Sequence, residues 1–509
     1  MKRLINALTK RHIIIAILII IQLIFMISLL YQLSVTIIRL NQMMYVLSVI
    51  IIIYLLNKNY NPSFKLAWSV LILALPLFGG VFYLLFGNKK VPKQLRKKML
   101  LSIEEGLPLL TQDEKVLKEA KKSDLNILKL VNFVQGKCDY PIYKNTKVDY
   151  FKLGEDKFKS MVKDLEKAEK FIFLEYFIVE EGIFWNTIES ILEKKVKDGV
   201  SVKVMYDDAG CMAKITKSFK ERLISKGIEC CVFNPLKARL VVQMNNRDHR
   251  KICVIDNRVA YVGGINLADE YINKKELFGH WKDTAVRLEG EAVWSFTVMF
   301  LQFWHYLNKF DHHNYLEYKL SYDKIIDDGF VQPFSDSPTD DEDVGLSIHM
   351  NMINSAQEYI YIQSPYLIIS FEMQNALCLA AKNGVDVCLC LPHIPDKWYV
   401  HWVSQSFYRT LISAGVKIYE YTPGFMHSKM FIADDKIGLM GTVNMDYRSY
   451  YMHYECGTLI YKHKILKTMK RDFLDTLEVS NKINIDDVDK TSIFKKVAQA
   501  LLSLFSSLM

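Results

Sequence analysis

Apolar positions run almost unbroken at the start of this chain and then give way to strand-like and helix-like patterns. Residues 13–38 carry no charge, and further apolar runs cover 40–56 and 66–86, the last holding Pro76, Gly79 and Gly80. An apolar run of roughly 18 residues or more can cross a bilayer core. Residues 1–98 therefore read as a membrane segment of two or three hydrophobic helices, retained because no small-residue cleavage site follows the first run. Lys2, Arg3, Lys10 and Arg11 precede it, and Lys89, Lys90, Lys93, Arg96, Lys97 and Lys98 follow it, which places both ends in the cytoplasm. Three full spans contradict that placement. Either one run fails to span, for example by kinking at Pro76, or the N-terminal charges are outvoted; the span number stays open.

Residues 99–145 are charged and Leu-bearing and read as a helical connector. Beyond them the pattern alternates. Helical periodicity over 158–170 leads into a continuous apolar strand at 171–178, a helix at 185–198, then Gly199 and a second strand at 200–206. The same order recurs as a strand at 358–366, a helix at 371–382, Gly384 and a strand at 385–391. Leu223-Ile224-Ser225-Lys226-Gly227-Ile228 likewise matches Leu411-Ile412-Ser413-Ala414-Gly415-Val416. A repeat of that size predicts an α/β protein with two similar halves, 146–325 and 326–482. Pro333 to Asp343, polar and acidic, reads as a surface linker between them. A C-terminal amphipathic helix over 483–509 places Ile493, Phe494, Val497, Leu501, Leu504, Phe505 and Leu508 at helical spacing opposite Lys495 and Lys496. It suits either a membrane surface or packing on the enzyme.

Composition narrows the class. With 509 residues, half apolar and 24% charged, the chain is neither disordered nor wholly membrane-embedded. Its net charge of +9 lies to a large extent beside the apolar segment, so it gives no reason to expect a nucleic-acid partner. The nine cysteines form no Cys-x-x-Cys pair, and neither zinc nor a disulfide framework is expected.

The chemistry sits in a motif that occurs twice. His249-Arg250-Lys251 is followed by Asp256 and by Gly263-Gly264-Ile265-Asn266, and His427-Ser428-Lys429 is followed by Asp434 and by Gly441-Thr442-Val443-Asn444 at the same offsets. On a strand, side chains two apart share a face, so each His and Lys point together, while each Asp falls on the other parity beside a turn and suits a structural place. Lys and Asn donate to an anionic oxygen and His acts as nucleophile or acid, a phosphate site that needs no metal or other cofactor. An acid follows each motif, Asp283 and Glu455, suited to orienting an imidazole through its far nitrogen. His349, His393 and His401 show no such partnered spacing.

These residues resemble the phospholipase D superfamily, whose members carry two copies of the His-x-Lys-Asp motif. The stretch from Asn61-Pro62 through Leu75-Pro76 to Phe86-Gly87, with Asp446-Tyr447-Arg448-Ser449 and Ser364-Pro365-Tyr366, is similar to bacterial cardiolipin synthases. The resemblance implies two phospholipase D-like repeats, mixed sheets flanked by helices about a pseudo-twofold axis, behind a transmembrane helical segment. It also implies a catalytic set of His249, Lys251, Asp256, His427, Lys429 and Asp434, with Asn266 and Asn444 binding substrate and Asp283 and Glu455 orienting the histidines. The expected reaction converts two phosphatidylglycerols into cardiolipin and glycerol through a phosphohistidine, with His249 as nucleophile and His427 as acid by the family's habit. A membrane-bound hydrolase of phosphodiesters is the alternative. The expected partners are phosphatidylglycerol and other anionic phospholipids, at the cell membrane, in a multi-pass arrangement with a cytoplasmic catalytic region.

Overall fold

The computed structural model describes residues 20–22, 24–25, 35–58, 60–76, 78–87, 93–235, 246–308, 314–320 and 325–506. The chain forms two compact units, one of residues 1–90, 236–245 and 503–509, the other of 91–235 and 246–502.

In the first unit, helices span Val35–Leu56, Pro62–Ala74 and Gly79–Phe86. Asn61 starts the second by accepting a hydrogen bond from the Ser63 N–H at 2.9 Å, with Pro62 in the first turn, where its missing N–H costs nothing. The apolar run over 66–86 is not one helix. It stops at Leu75, before Pro76, whose ring and absent N–H cannot continue it. The chain then folds back. A Cβ on Gly79 would lie 2.6 Å from the Ile72 Cα, so only glycine permits that approach. Ile51, Leu55, Phe64, Trp68, Ile72 and Tyr83 form the unit's small core. Thirteen residues from Pro62 to Ala74 rise only about 20 Å, less than a bilayer core. Among the described residues no helix is long and apolar enough to cross a membrane. The charge-free run over 13–38 lies mostly outside the described residues.

The second unit contains two large sheets and the two-stranded pair of β8 and β14. The strands of the first half are β1 (Thr146–Phe151), β2 (Phe171–Tyr176), β3 (Ser201–Asp207), β4 (Glu229–Phe233), β5 (Arg247–Asp248), β6 (Lys251–Ile255), β7 (Val259–Gly263), β8 (His280–Lys282) and β9 (Ala285–Gly290). Those of the second are β10 (Phe330–Asp336), β11 (Tyr359–Gln363), β12 (Asp386–Pro392), β13 (Lys417–Tyr421), β14 (Gly424–Met426), β15 (Met430–Ala433), β16 (Ile437–Gly441), β17 (His453–Tyr461) and β18 (Ser480–Ile483). One sheet runs β1-β9-β7-β6-β2-β3-β4 and the other β10-β17-β16-β15-β11-β12-β13-β18. The two orders superimpose, strand for strand, from β1 to β4 and from β10 to β13. In each, three parallel strands joined by helices continue into antiparallel motif strands, so both sheets are mixed.

Burial on both faces explains why β2 and β11 read as unbroken apolar runs. A single apolar core passes through both halves, from Phe173, Val254 and Phe300 to Phe334, Ile348 and Met430. The helix Val293–Leu307, apolar all round and buried from Val293 to Trp304, packs on β6, β4 and β10. Two sequence readings change here. Pro333 to Asp336 belongs to β10, a buried strand at the sheet edge, where a proline costs no ladder bond. Residues 99–138 are helical, as their pattern suggests, yet Met99, Leu117, Ile127, Val131 and Val134 sit in the shared core. The nine cysteines are free thiols, with Cys388 and Cys390 on one buried face of β12.

Candidate active site

Each motif begins on a short strand that leaves its own sheet and pairs with the other half. β5 runs parallel to the start of β17, Arg247 opposite His453 and Asp248 opposite Tyr454. β14 runs parallel to β8, Phe425 opposite Trp281 and Met426 opposite Lys282. The His249 N–H then donates to the Tyr454 carbonyl at 2.9 Å, and the His427 N–H to the Lys282 carbonyl at 2.8 Å. In both places the residue before a histidine lies opposite the residue before an acid.

That register crosses the acids over. His249 Nδ1 lies 2.9 Å from both carboxylate oxygens of Glu455, which follows the second motif. His427 Nδ1 lies 2.6 Å from Asp283 Oδ2, which follows the first. Both expected orienting acids thus reach a motif histidine, each across the pseudo-twofold axis. Thr442 Oγ1 donates to Glu455 Oε2 at 2.5 Å. Gly264, at the equivalent place, leaves room for Asp283, whose Oδ1 would sit 2.2 Å from any added Cβ.

Lys251 and Lys429 each donate from Nζ to the carbonyl of their own motif histidine, and Lys429 Nζ stands 2.9 Å from His427 Nδ1. Both lysines and both histidines are buried. Burial lowers the Lys251 ammonium to about 7, with the Lys429 charge adding to the fall, and lowers the Lys429 ammonium to about 8, while Asp283 and Glu455 act in the opposite sense. Burial, then the two ammonium charges, hold both imidazoles well below their ordinary range and therefore neutral. Burial also lifts the Asp283 carboxyl to about 6. With an Nδ1–H given to a carboxylate, each neutral ring keeps an Nε2 lone pair for attack or for proton uptake.

Asp256 and Asp434 stand elsewhere. At about 3.3 Å per residue, Asp256 is roughly 16 Å along β6 from Lys251. Its carboxylate accepts from the N–H groups of Glu169, Lys170 and Phe171 at 2.8, 2.8 and 2.7 Å. Asp434 does the same for Gln357, Glu358 and Tyr359 at 2.9, 2.8 and 2.9 Å. Both adopt positive φ, near 53° and 55°, which Asp tolerates in turns. This corrects their membership of the catalytic set: they tie the motif hairpins to β2 and β11.

The two asparagines differ. Asn266 accepts from the Ile178 N–H at 3.0 Å and donates to the Tyr271 hydroxyl at 2.7 Å, while Asn444 Oδ1 has no hydrogen-bond partner among the described residues. Sequence reasoning missed several neighbours. Trp281, Tyr271 and Phe425 pack around His427 with ring centroids at 5.3, 5.3 and 5.6 Å. Phe177 and His453 pack on His249 at 5.2 and 5.4 Å. His453 is the pseudo-symmetric counterpart of Trp281; burial lowers its ring to about 3, so it too is neutral. Behind His249, buried Arg250 pairs with Glu175 and with Asp248 at 3.2 Å, its guanidinium 3.5 Å over the Phe303 ring. The shared offset of Trp281 and His453, two residues before each acid, is the one signal that could have found that pair. His349 is buried against Phe431 and bonded to Tyr450 at 2.8 Å, a core histidine.

Residues 161–298 and 350–477 match the family described as cardiolipin synthase, PLD-like domain, and residues 46–88 match the phospholipase D-nuclease N-terminal family. An uncharacterized protein of Streptococcus mutans is 43% identical, over 90% of this chain and 99% of its own length. A cardiolipin synthase of Alkalihalophilus pseudofirmus is 35% identical, over 91% and 93%. Among solved structures, a phosphatidylserine synthase of Haemophilus influenzae aligns over 71% of this chain and 93% of its own, with a TM-score of 0.56 at 14% identity, a likeness of fold. The chain belongs to the cardiolipin synthase family of the phospholipase D superfamily.

Proposed function

We propose that this protein is a phosphatidyltransferase that makes cardiolipin and glycerol from two molecules of phosphatidylglycerol. The observation that carries the reading is the pair of crossed histidine–carboxylate contacts around Lys251 and Lys429, in a chain 35% identical to a cardiolipin synthase along 93% of that enzyme.

With both imidazoles neutral, two ammoniums balance two carboxylates. A bound phosphodiester adds one negative charge, which favours proton uptake by one ring. His249 Nε2 attacks phosphorus while the protonated His427 gives its proton to the departing glycerol oxygen. The P–O bond to glycerol breaks and a phosphatidyl–histidine bond forms. The primary hydroxyl of a second phosphatidylglycerol then attacks phosphorus, His427 takes its proton, and the P–N bond breaks to release cardiolipin. Lys251, Lys429, Asn444 and the amide hydrogen of Asn266 that Tyr271 does not use hold the non-bridging oxygens. Glu455 and Asp283 fix the ring tautomers and stabilise the imidazolium forms.

The apolar N-terminal segment and the basic residues that follow it support attachment to the cell membrane with the catalytic unit on the cytoplasmic side. There the acceptor lipid is held at high effective concentration, which favours transfer over hydrolysis. Full-length protein in phosphatidylglycerol vesicles should yield cardiolipin and glycerol in equal amounts. Phosphatidic acid as the only lipid product would show a hydrolase instead. His249→Ala and His427→Ala should each lower turnover at least about a hundredfold, and full activity in either would remove the paired mechanism.

A further inference from the structure

Large apolar side chains are exposed along one continuous part of the second unit. Near His427, the loop before β8 exposes Leu277, and a Cβ on Gly279 would meet the Ile394 side chain at 3.3 Å. Phe278 lies 6.4 Å from the Trp281 ring, which itself packs on His427. Beyond Ile394, the Asp396 and Lys397 charges act on His427. The helix Trp398–Ser406 then starts with Trp398 (59% exposed) and Tyr399 (37% exposed). Trp398 stacks edge-on against Trp402 at 5.0 Å, and Lys495 Nζ lies 5.6 Å over the Trp402 ring. That contact leads to the helix Ile493–Leu504, where Ile493, Phe494 (85% exposed), Val497 and Leu501 occupy one face in solvent.

A ridge of tryptophan, phenylalanine and aliphatic residues is costly to leave in water and marks a docking surface. Its composition selects the occupant. Tryptophan and tyrosine favour the headgroup level of a bilayer, and an amphipathic helix with lysines beside its apolar face suits an anionic lipid surface. Lys274, Lys397 and Lys496 are exposed around the ridge and supply the matching charge.

We propose that the loop before β8, the start of the helix Trp398–Ser406 and the apolar face of residues 493–501 together dock on an anionic phospholipid bilayer, which presents the His427 site to lipid headgroups. The inference rests on the phosphatidyltransferase reading and adds a surface to it.

The test compares full-length protein with its Trp398→Asp/Phe494→Asp variant on two substrates: vesicles of equal phosphatidylglycerol and phosphatidylcholine, and monomeric dihexanoyl-phosphatidylglycerol. The N-terminal segment is present in both proteins, so the comparison reads docking of the apolar ridge. Turnover on vesicles should fall about tenfold, a change of one factor of ten in the docked equilibrium, with turnover of the monomeric lipid unchanged. An equal fall on both substrates, or on neither, overturns the proposal. A second readout does not depend on catalysis. With acyl-brominated phosphatidylglycerol in the vesicles, Trp398→Phe should lower the quenched share of tryptophan fluorescence, and an unchanged share overturns docking. A ridge that instead joins two copies of the chain would give a smaller particle in detergent for the Asp variant with quenching unchanged, which also overturns it. Failure of the wild-type protein to make cardiolipin from either lipid would defeat the transferase reading and leave the quenching result to decide docking.

Discussion

Two buried histidines facing two buried lysines cannot all be charged at once, and the carboxylates behind them set which protonation states are available. Burial places Asp283 near 6 and Lys251 near 7. A carboxylate with a raised pKa is lost by protonation as pH falls, and an ammonium with a lowered pKa is lost by deprotonation as pH rises. The value of kcat/KM should therefore fall below about pH 6, as Asp283 ceases to orient His427, and fall again above about pH 7, as Lys251 ceases to hold phosphate. A profile flat from pH 5 to 9 would contradict this assignment of charges. The crossed contacts make a separate prediction. Asp283→Asn should move the imidazole nitrogen resonances of His427, and Glu455→Gln those of His249, each with a rate loss of roughly 10² to 10⁴. Resonance shifts confined to the histidine of the same half would remove the crossing.

At the level of strands and turns, the motif aspartates separate stability from chemistry. Each closes a turn by accepting three backbone N–H bonds, and charge-assisted bonds of this kind contribute about 1.5–3 kcal/mol apiece where they are buried, less at these exposed turns. Asp256→Ala or Asp434→Ala should lower unfolding free energy by about 2 kcal/mol in denaturant titration, while turnover per folded molecule stays near the wild-type value. Their parity on the strand already set them apart from His and Lys in the sequence, although the motif grouped them together. The duplicated strand–helix–strand order was legible for the same reason: the period-2 and period-3.6 patterns are local. The crossing of Asp283 and Glu455 was not, because β5–β17 and β8–β14 pair residues from opposite halves with no local signal. Pro333 misled for a related reason. Proline and Asp336 look like loop residues until an edge strand and its partner β17 are known.

Across the whole molecule, the halves are not independent. Phe300 and Val254 share one core with Phe334 and Met430, and the helices over 99–138, read from their charges as a spacer, bury one face in it. A charged outer face hides an apolar inner one when only composition is considered. Residues 93–325 and 326–506 produced as separate chains should each fail to fold cooperatively and show no transfer, which calorimetry and the vesicle assay would read directly. The N-terminal run was legible as apolar, and a break at Pro76 as one alternative, but the reversal that follows was not, since it depends on how closely Gly79 can approach Ile72.

Glu455 lies 206 positions after the histidine it serves. At about 5–20 residues per second, a ribosome needs on the order of ten to forty seconds to add that stretch. Throughout that interval the nascent polypeptide carries His249 without its carboxylate. An emerging chain beside a membrane full of phosphodiesters is thus unarmed until translation is nearly complete.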